Sequence, residues 1–200
     1  MKPHLCKVNK WTPSKSPHFV NGWGIVLRVH QTPFYAFGRV PASVLQHYCT
    51  RKAYIYFLEI VTQVIALTYF RQWLPKLVVS FIDNQPGKHA LIKGFGRDSA
   101  INNLLAMVWR LITHHQWHVS FEWVRSACNI ADGVSRHDLS EMRQISANEV
   151  TLDTAPFWKI IKKVALDAHY AHHGSLHDLL QLPPIALPEW SLRGQCGEML

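Results

Sequence analysis

Acidic residues are scarce in this chain and arrive late. Only 13 of its 200 residues are Asp or Glu, against 21 Lys or Arg, and none precedes Glu59. The resulting net charge of +8 points to an anionic partner such as nucleic acid, although many basic proteins bind none. The four cysteines, Cys6, Cys49, Cys128 and Cys196, are scattered and form no C-x-x-C pair. That spacing removes support for a zinc site and for a disulfide framework, so a reducing compartment, nuclear or cytoplasmic, is expected. The first residues hold no apolar run, so no secretory signal is expected. Nor does any apolar run reach the roughly 20 residues that cross a bilayer. The oiliest segment, residues 54–70, carries Glu59, Thr62, Gln63 and Thr68. It fits a buried helix of a soluble protein better than a membrane partner. Internal repeats and low-complexity blocks are also missing.

What is present suits one domain with a tail. The hydrophobic share of 48% is enough for a sizeable core. Residues 1–18 contain Pro3, Pro13 and Pro17 and read as an irregular leader. Residues 22–30 and 34–40 read as two strands of an antiparallel hairpin, with a turn at 31–33. Residues 44–48 suit a short helical turn. Residues 54–73 are apolar nearly all round, which predicts a helix buried on several sides, and Pro75 stops it. The run LVVSFID, residues 77–83, is continuous and rich in β-branched residues, the pattern of a strand covered on both faces. Strand, helix and strand in this order predict a parallel pairing with the helix packed on the sheet.

Further along, residues 88–93 suit a short helix. Asp98 or Ser99 can cap another over 100–115, where Ile101, Leu104, Leu105, Val108, Leu111 and Ile112 fall at helical spacing. Residues 119–124 alternate like a half-buried strand. Residues 126–136 read as a loop or helix start. Residues 143–200 read as a tail, helical in pieces, with Pro183, Pro184 and Pro188.

Three carboxylates stand out by context. Glu59 sits within an oily helix, where an unpaired charge is costly. Asp83 ends the apolar strand, at the edge where open α/β sheets bind ligands. Asp132 follows the last strand in NIADGVSR, residues 129–136. Each alone can be a cap, a turn or an ion pair. Together they suit oxygen ligation of a hard cation, and paired metals can drive phosphodiester cleavage. Asp138 fits a fourth acidic position or a plain surface charge, and Glu122 can substitute in part if its side chain faces the cleft.

Lys88, His89, Lys93, Arg97 and Arg125 follow the same segments. Their basic side chains suit phosphate contacts as well as a solvated face. Asn84, Asn102 and Asn103 suit hydrogen bonds to a nucleic-acid groove or ordinary caps. KGFG at 93–96 lacks the spacing of a phosphate loop. His169, His172, His173 and His177 have near-helical spacing, but Gly174 and Ser175 interrupt it. His114 and His115 suit a helix C-terminus.

The segments FLEI (57–60), FIDN (81–84) and NIADGVSR (129–136) resemble, in order, helix A, strand 4 and the final catalytic loop of ribonuclease H-like domains. The longer run FIDNQPGKHALIKGFG, followed by NNLLAMVW, is similar to the version in retrotransposon-type reverse transcriptases. The resemblance covers about residues 19–140. It implies an α/β fold, a mixed sheet of about five strands flanked by helices; whether the first strand is complete or truncated stays open. The organisation expected is a leader at 1–18, the domain at 19–142 and a tail at 143–200. It also implies magnesium- or manganese-dependent hydrolysis of RNA in RNA–DNA hybrids. By that match Glu59, Asp83 and Asp132 are the metal ligands and catalytic groups. Asn84, Lys88, Lys93, Arg97 and Arg125 are then the nucleic-acid contacts. The family also requires an Asp at the end of the first strand, shortly before a Gly-Trp-Gly-like second strand. Here TPSKSPHFVN stands before Gly22 without an acid. The expected consequence is impaired hydrolysis. A start placed too late, a degenerate relic and a repurposed nucleic-acid-binding module all fit that absence.

Overall fold

The computed structural model describes residues 7–8, 21–29, 31–48, 54–96 and 98–186, with the side chains of 7–8 and 54–56 left aside. The chain is an α/β protein. A mixed sheet contains β1 (Lys7–Val8), β2 (Gly22–Val29), β3 (Thr32–Arg39) and β6 (Asn148–Glu149), in the order β1-β2-β3-β6. A second, parallel pair consists of β4 (Leu77–Ile82) and β5 (His118–Trp123). The leader therefore contributes a strand, because Lys7 pairs with Gly24 and Val8 with Trp23, antiparallel to β2. The rest of residues 1–18 lies outside the described residues.

The hairpin expected at residues 22–40 forms, with Gly22 opposite Arg39 and Val29 opposite Thr32. Its second strand starts earlier than expected, since Thr32 and Pro33 already pair. The two faces of β2 meet different partners. Trp23, Ile25 and Leu27 enter the main core, while Val26 joins a second cluster with Tyr35, Ala131, Val134 and Met142. Alternation of side chains across a strand produces this division.

The short α1 (Ala42–Leu45) leads toward α2 (Tyr54–Tyr69). From Phe57 to Phe70 every residue is buried, as expected of a helix apolar all round. Two of its polar members, Thr62 and Gln63, bond within the fold. The Thr62 hydroxyl donates to the Leu58 carbonyl at 2.7 Å. The Ser80 hydroxyl donates to Gln63 Oε1 at 2.8 Å, linking α2 to β4. Among the described residues no helix is long and apolar enough to cross a membrane.

Two expectations about β4 are corrected. It is not covered on both faces: Val78, Ser80 and Ile82 are buried, Val79 and Phe81 are half-buried, and Leu77 is 70% exposed. Its parallel partner is also not the strand before α2. β4 pairs with β5, across α3 (Gln85–Lys93) and α4 (Ser99–His115), while β3 takes β6 as its parallel neighbour. The crossover that satisfies β4 is thus the one after it, in which α4 buries Leu104, Leu105, Val108 and Leu111.

The last third of the chain completes the core. After β5 come a 3-10 turn (Ser126–Cys128), α5 (Ala131–Ser135) and α6 (Ser140–Gln144). Beyond β6, α7 (Ala155–Leu166), α8 (Ala168–His173) and α9 (Ser175–Gln181) follow. Phe157, Ile161, Val164, Ala171 and Leu179 lie in the same buried cluster as α2 and α4. Polar ties add to this packing. Arg71 donates to the Leu180 and Leu182 carbonyls, and Trp73 Nε1 to that of Ile185. Asn103 Nδ2 donates to the Val164 carbonyl at 3.0 Å.

Candidate functional site

Glu59 on α2 and Asn84, which follows Asp83 at the end of β4, both lie beside Gly87. Asp83 directly follows β4, and Asn84 caps α3 by accepting from the Gly87 amide at 2.8 Å. A Cβ placed on Gly87 would lie 3.5 Å from Asn84 Oδ1 and 3.6 Å from Glu59 Cβ. The first turn of α3 therefore rests on α2 at Glu59. Glu59 is 1% exposed, whereas Asp83 is half-buried.

The Asp83 carboxylate accepts from the Ser126 hydroxyl at 2.6 Å. The Asp83 carbonyl accepts from Trp123 Nε1 at 3.1 Å. These contacts fasten the end of β4 to the end of β5 and to the turn that leads into α5. Sequence reasoning missed both partners, because neither Ser126 nor Trp123 carries a local signal for a contact some 40 residues away.

Asp132 is placed by α5, which lies directly on β2. A Cβ on Gly24 would fall 2.5 Å from the Ser135 amide nitrogen and 2.9 Å from the Ala131 carbonyl, and one on Gly22 would collide with the Ser135 carbonyl. The two glycines admit the α5 backbone at a distance that no side chain allows. On this helix Asp132 Oδ2 pairs with Arg136 at 2.9 Å, one turn away, with the two side chains 18% and 53% exposed.

The three carboxylates do not form a ready two-metal centre. Among the described residues no group of three or more His, Cys, Asp or Glu is arranged to hold a metal ion. Asp132 is engaged by Arg136 and Asp83 by Ser126, and the residues of β1, Lys7 and Val8, include no acid.

The proposed nucleic-acid contacts divide by role. Asn84 serves as the α3 cap. Lys88 reaches Glu122 at 3.4 Å, and Glu122 also accepts from the Ser120 hydroxyl at 2.7 Å. Glu122 shares the strand face of Phe81, its register partner, and not the buried face of Ser80. Lys93, in the last turn of α3, and Arg125, before the 3-10 turn, are both exposed. Arg97 lies outside the described residues. Asn102 Oδ1 accepts from the Gly96 amide at 2.6 Å, so it and Asn103 act in the fold's interior.

The remaining candidates resolve simply. Asp138 is exposed and accepts from the amide and hydroxyl of Ser140, which hold its carboxyl below the usual carboxylate range. His169 and His173 lie ring to ring at 4.6 Å on α8. His115 stacks on Trp117 at 4.3 Å. Its pKa is lowered by burial, then by His114, Arg71 and Lys76. Cys128 is an exposed free thiol. Cys6, Cys49 and Cys196 lie outside the described residues.

Neither a family model, nor a curated protein, nor a solved structure gives a significant match to the chain.

Proposed function

We propose that the chain is a ribonuclease H-like domain of the retroelement reverse-transcriptase type, which engages RNA–DNA hybrids and whose metal-dependent hydrolysis is impaired. The observation that carries this reading is the meeting of Glu59 with the Asn84–Gly87 turn that follows Asp83 at the carboxyl end of β4. Two segments picked out by the resemblance, FLEI and FIDN, come together there. The strand pattern supports it further. An antiparallel β1–β2–β3 set is followed by the parallel pair β4–β5. Joined at β1 and β4, the two would give the five-stranded sheet that the resemblance implies.

Impairment follows from the same groups. The family's chemistry rests on magnesium or manganese held by several carboxylates. This chain offers no acid on β1, and it holds Asp132 in an ion pair. Binding needs less, because a basic surface attracts phosphates without any exact constellation. Lys93 and Arg125 are exposed for that role.

The test is incubation of a labelled RNA–DNA hybrid with the full chain and magnesium or manganese. The expected result is weak cleavage or none, and any cleavage seen should vanish in Asp83→Asn while hybrid binding persists. Robust cleavage that is insensitive to Asp83→Asn would overturn the assignment of Asp83.

A further inference from the structure

His169 and His173 stand one turn apart on α8, with ring centroids 4.6 Å apart and ring planes 38° from parallel. Residues four apart share one face of a helix, so the pair presents two imidazoles to the same space. Both residues are exposed, and a dissolved ion reaches them directly.

The ring separation fits two ligands of one metal ion. A metal–nitrogen bond of about 2.0–2.1 Å places each ring centroid about 3.2 Å from the ion. At ligand–metal–ligand angles of about 90–109°, those of octahedral and tetrahedral sites, two such centroids are about 4.5–5.2 Å apart. The observed 4.6 Å falls within that interval.

The backbone beneath the pair is held in place. α8 is only six residues long, too short to persist alone, and tertiary contacts fix it. Asp167 caps it by accepting from the Tyr170 amide at 2.9 Å. Tyr170 and Ala171, between the two histidines, are buried in the main core. The Tyr170 hydroxyl donates to Asp178 on α9, and the Ser175 hydroxyl donates to the Ala171 carbonyl at 2.6 Å. Once one imidazole holds an ion, the second therefore acts at a high effective concentration.

Two imidazoles are a partial ligand set. Among the described residues no group of three or more His, Cys, Asp or Glu is arranged around an ion, so water must fill the other positions. Mg2+ and Ca2+ prefer oxygen ligands, and a structural zinc site takes four protein ligands. Cu2+ accepts a tetragonal set of nitrogen and oxygen and heads the affinity order of the divalent ions.

We infer that His169 and His173 form a two-imidazole site for a divalent transition-metal ion on the exposed face of α8, with Cu2+ held more tightly than Zn2+. The site uses none of the carboxylates of the candidate site and does not depend on the hybrid-binding reading.

The experiment titrates Cu2+, and separately Zn2+, into the full chain and into His169→Gln, His173→Gln and His172→Gln. Calorimetry gives the affinity, and broadening of imidazole resonances by Cu2+ gives the location, since the chain has 13 histidines. All three positions are exposed, and a thermal melt of each variant checks that the fold is kept. The expected result is that the His169 and His173 resonances broaden first. His169→Gln and His173→Gln should each weaken the tightest step by about tenfold to 100-fold, while His172→Gln, on the same helix, leaves it unchanged. That step should also weaken on acidification, because protons compete for the same nitrogens.

Tightest binding that survives both His169→Gln and His173→Gln overturns the site. So does earlier broadening of any other histidine, and so does an equal loss in His172→Gln, which would move the ligands off this pair. Zn2+ bound more tightly than Cu2+ overturns the choice of metal.

Discussion

The Ser126 hydroxyl donates to the Asp83 carboxylate at 2.6 Å, across 43 residues of sequence. Through this bond the end of β4 is tied to the 3-10 turn that precedes α5. Because the contact is exposed, Ser126→Ala is expected to cost about 1 kcal/mol or less. Its larger effect is local. Amide hydrogen exchange over residues 126–136 should quicken, while exchange in α2 and α4 stays unchanged. Uniform exchange across the chain would contradict the tie.

Gly24 is expected to be intolerant for a different reason. An added Cβ meets the Ser135 and Ala131 backbone at 2.5 and 2.9 Å, so α5 must move as a unit. Gly24→Ala should lose about 1–3 kcal/mol of stability, the range for overpacking. It should also shift the Asp132 resonance. Chemical denaturation with an unchanged midpoint would show that α5 does not press on β2.

Much of this arrangement was legible in the sequence, and the failures have identifiable physical causes. The hairpin, the oily α2 and the capped α4 follow from period, propensity and a single capping residue, all local properties. The parallel partner of β4 was not legible, because pairing is decided by how α3 and α4 pack rather than by the strand's own residues. The cover of β4 was overestimated for a related reason: LVVSFI is apolar throughout, yet Leu77 remains 70% exposed. At the site, the positions of Glu59 and Asp83 at the end or face of core elements were readable. Ser126 was not, since its bond to Asp83 depends on tertiary structure across 43 residues; the Asp132–Arg136 pair is a local contact one turn apart within residues 129–136 and was overlooked.

Residues 143–200 read as a tail, yet Phe157 is fully buried among residues of the main core. Phe157→Ala should therefore cost about 3–5 kcal/mol, as a large cavity in a core does. The predicted signature is one cooperative transition at a lower denaturant midpoint. A separate transition that affects only residues beyond 150 would show that these helices fold independently.

His115 gives a pH dependence of definite sign. Burial first, then His114, Arg71 and Lys76, hold its pKa below the ordinary 6.5. The folded state then binds fewer protons than the unfolded state between the two values, so stability rises with pH across that window. The contribution is complete above about pH 6.5 and is lost as pH falls toward the folded value. Thermal melts should show a steeper fall on acidification from about pH 7 to about pH 5.5 in the unmodified chain than in His115→Gln. Parallel profiles would contradict the burial of this ring.

The central claim is that hybrid recognition persists where hydrolysis is impaired. The most direct measurement puts both on one sample: a labelled RNA–DNA hybrid with manganese, scored for bound and cleaved fractions through a salt series. The account predicts binding that weakens steeply with salt, with little or no cleavage at concentrations where the hybrid is fully bound. Absence of binding at low salt, or rapid cleavage of the bound hybrid, would contradict it.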